Sequence, residues 1–168
     1  MAHSGVLAGL YAGNFAVEIS TDNTAWTAVS NANVKIDDVE LNRPSGEAFV
    51  GGSSDYATIT VGKREPVEIT LTFLYNEDTN SAANTIFDQF QSTSPRLGVR
   101  WSPRGLVSQA RAYATSNDGG TTTGLGVITN VTLSALDPSD ADPYVAMVTV
   151  RTPSLRRYTL GTDPTNLS

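Results

Sequence analysis

The chain has 168 residues, with 17 acidic against 11 basic side chains for a formal net charge of −6, a single histidine and no cysteine. These totals exclude a disulfide framework and thiolate metal sites. They also leave Ser–His–Asp and Cys–His nucleophile systems without candidates, because the only histidine, His3, sits at the start of the chain. A net negative surface is unsuited to wrapping nucleic acid, which needs clustered Lys and Arg, though DNA remains possible as something to be repelled.

The length suits one domain with a real core. Ser, Thr, Asn and Gly crowd the spaces between apolar runs, a β-rich composition. The opening "MAHSGVLAGLYAGNFAV" is weakly apolar without a basic leader, so no signal peptide is expected. No run reaches the ~18–20 apolar residues of a membrane helix.

In chain order, Phe15, Val17 and Ile19 alternate with polar or small residues and predict a first strand. "TDN" turns the chain into a short second strand, "TAWTAV". Residues 34–41, "VKIDDVEL", read as a strand whose apolar positions change phase, which predicts a bulge near Asp37 and Asp38. The stretch 42–56, "NRPSGEAFVGGSSDY", is broken by Pro44 and several glycines and predicts a long loop. It carries Phe49, Val50 and Tyr56, apolar side chains that need a place to pack.

After "ATITV" comes the strongest signal, "GKREPVEITLTFLYNE" at 62–77. Val67, Ile69, Leu71, Phe73 and Tyr75 fall on one side of a strand, and Glu68, Thr70 and Thr72 on the other. Ala82, Ile86, Phe87 and Phe90 then recur at helical spacing. A cap among Asp78, Thr79, Asn80 and Ser81 and the stop at Pro95 predict one helix over about 79–91. Further strands are expected at 97–101, 108–114, 126–136 and 144–150, and an extended, proline-interrupted arm from residue 153. Strands at this spacing around one helix predict a sandwich or a barrel.

Chemistry is sparse. Asp37, Asp38 and Glu40 cluster, as do Asp137, Asp140 and Asp142 in "DPSDADP"; the second group offers oxygen ligands of the kind calcium takes, without EF-hand spacing. The simpler readings are a solvated turn for the second group and a bulge with exposed charges for the first. The glycine pairs do not precede a helix and lack phosphate-binding patterns. Trp26, Trp101, Tyr113 and Tyr144 suit either a sugar platform or ordinary cross-strand packing. The basic residues are scattered, and scattered arginines in an acidic chain more often meet carboxylates than phosphates.

Taken together, "VEISTDNTAWTAV", "VKIDDVEL", "GKREPVEITLTFLYNED", "TIFDQFQSTSPRLGVRWSPRG" and "GVITNVTLSALDPSDADPYVAMVTVRT" resemble, in that order, the tail tube (major tail) proteins of long-tailed bacteriophages. The resemblance implies a mainly β chain: a β-sandwich with one flanking α-helix, its inner sheet closing into a barrel across a hexameric ring. It implies an N-terminal arm over 1–14, the sandwich over 15–152 and a C-terminal arm over 153–168.

The implied function is structural. Stacked rings form the hollow virion tail tube around a tape-measure protein, and double-stranded DNA later passes through without specific binding. Tail terminator and distal tail proteins close the ends, with assembly in the host cytoplasm. No cofactor, metal, membrane or catalysis is implied.

On this view inter-ring and inter-subunit contacts fall to Arg43, Phe49, Val50, Tyr56, Lys63, Arg64, Arg156, Arg157 and Tyr158. Glu68, Thr70 and Thr72 would face the lumen, where a negative wall would repel phosphates. The resemblance does not separate contractile from non-contractile tails. The competing expectation is a carbohydrate- or calcium-binding β-sandwich module using Trp26, Trp101 or the "DPSDADP" loop.

Overall fold

The computed structural model describes residues 15–30, 33–48, 58–76, 78, 81–136, 139, 142–161 and 167. They form eleven strands and one helix: β1 (Ala16–Ser20), β2 (Thr27–Val29), β3 (Val34–Ile36), β4 (Ser45–Ala48), β5 (Thr58–Val61), β6 (Val67–Leu74), α1 (Ala82–Gln91), β7 (Arg96–Ser102), β8 (Arg111–Ser116), β9 (Gly126–Leu133), β10 (Val145–Thr152) and β11 (Ser154–Thr159).

Nine strands make one antiparallel sheet, and β4 and β5 form a separate two-stranded hairpin. Strand β7 is the junction of the sheet. Its residues 98–102 pair with β1, Arg100 and Trp101 also pair with β8, and Arg96 and Leu97 pair with the start of β9. One limb therefore runs β2-β1-β7-β8-β11 and the other β7-β9-β10-β6-β3. The chain is mainly β with one helix, and in the single chain the sheet stays open and does not close into a barrel.

Both limbs contribute to one core. Val17, Ile19, Val99 and Trp101 from the first join Ile69, Leu71, Phe73, Val148 and Val150 from the second. The alternation along β6 is realised directly: Val67, Ile69, Leu71 and Phe73 are buried, while Glu68, Thr70 and Thr72 are exposed or half-buried. Burying each such side chain stabilises the fold by roughly 1.5–3 kcal/mol. Helix α1 starts at Ser81, whose hydroxyl accepts the Asn84 N–H at 3.2 Å, and it buries Ala83 and Ile86. Among the described residues no helix is long and apolar enough to cross a membrane.

Three local expectations change. The phase shift near Asp37 and Asp38 marks the end of β3: Asp37 N–H still reaches Thr70 O at 3.0 Å, and the chain then leaves the sheet. The ladder irregularity lies instead between Thr149 and Val150, opposite β9. Residues 45–48, expected in a loop, pair with β5, and Pro44 O accepts Gly62 N–H at 2.8 Å to close the hairpin base. Residues 154–159, expected in an arm, form β11 along β8, and Leu160 and Leu167 beyond them are buried with Ala110 and Ala112.

Candidate functional site

Alternation on the four strands β9-β10-β6-β3 leaves one face turned away from the core. Across it Glu68 stands opposite Arg151, Thr70 opposite Thr149, and Thr72 opposite both Met147 and Lys35. Glu68 and Arg151 approach to 3.8 Å and Lys35 and Asp37 to 3.4 Å, so these two acids each meet a base. These pairs are well exposed and contribute little to stability individually. Their effect is on the surface field, which they offset in part beside the carboxylates of Asp38, Glu40 and Glu65. With Thr129, Asn130 and Thr132 also exposed, the centre of the face is rich in hydroxyl and amide groups, and exposed Leu74 and Met147 give it an apolar end.

The residues expected at contacts divide into three groups. Arg43, Arg64 and Arg157, far apart in sequence and all exposed, converge on a recess of about 260 Å³ floored by Val67, Tyr113 and Leu155. Among the described residues Glu65 is the one carboxylate lining it. Lys63 is exposed on the same connection, outside the recess. Phe49, Val50 and Tyr56 lie outside the described residues. On the other side of the 38–42 segment, Asp38, Glu40, Glu65 and Glu68 surround a separate recess with Arg151. The two recesses share Asn42 and Glu65, so a basic recess and an acidic one adjoin.

Arg156 and Tyr158 alternate to the opposite face of β11 from Arg157, and there they meet a group that sequence alone did not single out. Arg100 Nε lies 2.5 Å from Glu18 Oε2, with both side chains almost fully buried. Trp26 covers the guanidinium, 4.2 Å from its ring centroid. That approach depends on Gly98, where an added Cβ would stand 2.9 Å from the Trp26 ring. Arg156 lies 4.7 Å from the Tyr158 ring centroid and donates to Thr123 Oγ1 at 3.1 Å. Burial pushes the Tyr158 hydroxyl above its ordinary pKa, against the pull of Arg100 and Arg156, and that hydroxyl donates to Leu167 O. The available signal for the ion pair was an opposite charge embedded in each of two apolar strands, "VEI" and "VRW".

Two similar turns flank this group. Asp22 accepts from the backbone N–H groups of Thr24 and Ala25 and from Ser20 Oγ. Asp118 accepts from Thr121 and Thr122 N–H and from the hydroxyls of Ser116 and Thr122. For Asp22 the Thr24 backbone bond, and for Asp118 the Thr122 hydroxyl bond, lead in holding the carboxyl well below the usual carboxylate range.

The aromatic side chains do not converge on a platform. Trp101 stacks on Tyr113 at 5.6 Å within the fold, Trp26 covers Arg100, and Tyr144 meets Tyr75 edge-on at 4.9 Å. Among the described residues no group of three or more His, Cys, Asp or Glu is placed to hold a metal, and Asp137 and Asp140 lie outside those residues.

No protein-family model matches the chain, and no curated protein matches it in sequence. Solved structures do match in fold. A chain of the six-fold symmetrised anti-feeding prophage baseplate superposes with a TM-score of 0.65 at 11% identity, covering 86% of this chain and 92% of that one. A chain of the extended sheath-tube complex of an extracellular contractile injection system gives 0.62 at 14% identity, covering 92% and 95%. A chain of the anti-feeding prophage tube-terminating cap gives 0.60 at 13%, covering 85% and 87%. The chain therefore shares, over nearly its whole length, the fold of chains found in these phage-tail-like particles.

Proposed function

We propose that the chain is a structural subunit of a phage-tail-like particle and, within that class, a tail tube protein. In this reading the two limbs and the helix act as a β-sandwich. The β9-β10-β6-β3 limbs of neighbouring copies join into one barrel across a hexameric ring, and rings stack into a hollow tube. The observation that carries the reading is the construction of that limb: among the described residues β3 and the later half of β9 have no strand on their outer edges, and the outward face is polar and carries two acid–base pairs. Open edges invite aggregation unless another copy completes the sheet. The fold likeness to tube, baseplate and cap chains supports the class.

Glu68, Thr70 and Thr72 then face the lumen. Two acid–base pairs lie on this face, and the carboxylates of Asp38, Glu40 and Glu65 beside it keep its balance acidic, which would offer phosphates no attraction. The lumen would hold a tape-measure protein during assembly in the host cytoplasm and later pass double-stranded DNA without specific binding. Terminator and distal tail proteins would cap the tube. Contacts between copies use Arg43, Lys63, Arg64, Arg156, Arg157, Tyr158 and the loop bearing Phe49, Val50 and Tyr56, with residues 1–14 as an arm. The subunit works without a cofactor, a membrane or a catalysed reaction.

Negative-stain microscopy and native mass spectrometry of the purified chain at high concentration test this. Hexameric rings or hollow tubes are expected. A strict monomer at every concentration, stabilised by calcium or a sugar, would overturn the proposal in favour of a binding module.

A further inference from the structure

Glu18 and Arg100 stand opposite each other on β1 and β7, on the side of the sheet turned away from the core residues Val17, Ile19, Val99 and Trp101. Arg100 is only 5% exposed, yet its guanidinium is far from saturated. A guanidinium carries several N–H donors in a fixed fork. Among the described residues Arg100 spends one of them, Nε to Glu18 Oε2. Trp26 covers the group from one side at 4.2 Å and takes no hydrogen bond from it. Among the described residues no side-chain nitrogen or oxygen is sealed from solvent without a partner, so the Nη edge of Arg100 opens onto the recess it lines.

That recess holds about 520 Å³, a volume typical of ligand sites. A second guanidinium, half-buried Arg156, lines it too, bonded to Thr123 Oγ1 and set against the Tyr158 ring. Among the described residues no carboxylate pairs with Arg156. Asp22 and Asp118, the acids of the flanking turns, accept from their own turns and do not line the recess. Its charges are thus Glu18 against Arg100 and Arg156, one positive in excess within a chain of net −6.

We propose that this recess is a carboxylate-binding site, in which the Nη edge of Arg100 takes the carboxylate as a fork and Arg156 meets it from the β11 side. Guanidinium and carboxylate match in such pairs through two parallel hydrogen bonds. Glu18 and Trp26 hold Arg100 in place beforehand, so binding costs little of the rotamer freedom a surface arginine would lose. Charge selects the ligand. One surplus positive charge suits a monoanion, whereas a phosphate group carries more than one negative charge at neutral pH and would set the excess against Glu18. The carboxylate can be that of a small free acid or of an acidic side chain presented by another copy of the chain. The site goes beyond the tube reading and does not rest on it.

NMR of the dilute full chain reads the site through the indole N–H of Trp26, with buried Trp101 as internal reference. Sodium acetate is titrated against sodium chloride at matched ionic strength, and sodium phosphate in a separate series. A saturable shift of the Trp26 signal with acetate, absent with chloride, is expected. Arg156→Gln leaves the buried ion pair in place and should weaken acetate binding about tenfold with the melting temperature nearly unchanged. A Trp26 signal that also moves as protein concentration rises, and that acetate returns, upholds the site and assigns the carboxylate to another copy. A signal indifferent to protein concentration upholds it with a free acid as the source. No saturable response to acetate, tighter binding of phosphate than of acetate, or equal acetate binding in Arg156→Gln overturns the proposal.

Discussion

Glu18 and Arg100 illustrate how one buried residue can matter more than a surface of charges. Their contact at 2.5 Å is almost fully removed from water, so each ion depends on the other for its hydration. Glu18→Gln leaves the guanidinium without its counter-charge, and an uncompensated buried charge costs about 3 kcal/mol or more. For a chain of this size that corresponds to a fall in Tm of roughly 6–12 °C. Replacing both ions together, Glu18→Leu with Arg100→Met, should recover most of the loss, and thermal melts of the two variants distinguish a buried pair from a surface one. Asp22 and Asp118 make the opposite case, being exposed but crowded with donors. Their carboxyls are held low in the folded chain, so what they add to stability is complete above the unfolded value of about 3.9 and is lost as pH falls through the lower folded value. Carboxyl NMR titration should find both ionised at pH ~3, where an unfolded aspartate is mostly protonated. Asp118→Asn should loosen the 116–122 turn at neutral pH and abolish that acid resistance.

At the scale of elements, the β4–β5 hairpin is separable. Among the described residues it shares no ladder with the nine-stranded sheet, and its base is closed by the Pro44 O to Gly62 N–H bond at 2.8 Å. Excising residues 45–61 and joining Pro44 to Gly62 through a short linker should leave a folded subunit that no longer stacks. A variant that unfolds would place the hairpin in the core, and one that still stacks would free it of any interface role. Sequence and structure agree best where the signal is local. The period-two alternation of 67–75 specified β6 and its buried face, and the Ser81 cap with Ile86 specified α1. Strand β4, "SGEA", has no apolar alternation of its own and is a strand through its pairing with β5. Strand β11, "SLRRYT", carries adjacent arginines that face opposite sides of the sheet, which hides its period from inspection. The arginine recess was illegible for a different reason: positions 43, 64 and 157 come together only in the folded chain, which no local pattern encodes.

For the whole molecule, the decisive question is how a sheet with open edges behaves among its copies. Ser134 N–H bonds to Val145 O at 2.9 Å, so by the alternation of an antiparallel ladder the N–H groups of Val131 and Leu133 point away from β10. Asn33 O accepts Leu74 N–H and Asp37 N–H reaches Thr70 O, so Val34 and Ile36 direct their backbone groups away from β6 in the same way. The β9 edge of one copy and the β3 edge of the next are different surfaces. A contact between them is heterologous, and it closes into a ring if the rotation per copy divides a full turn. Proline removes one donor and is tolerated where that donor faces outward at an edge. Leu133→Pro should therefore give a folded chain of nearly unchanged melting temperature that fails to form rings in native mass spectrometry. Thr132→Pro, whose N–H points into the β10 ladder, should destabilise the subunit itself. Rings that persist in Leu133→Pro would mean the copies do not join through this edge. The outward face of Glu68, Thr70 and Thr72 would then have to be a surface of the particle other than its lumen.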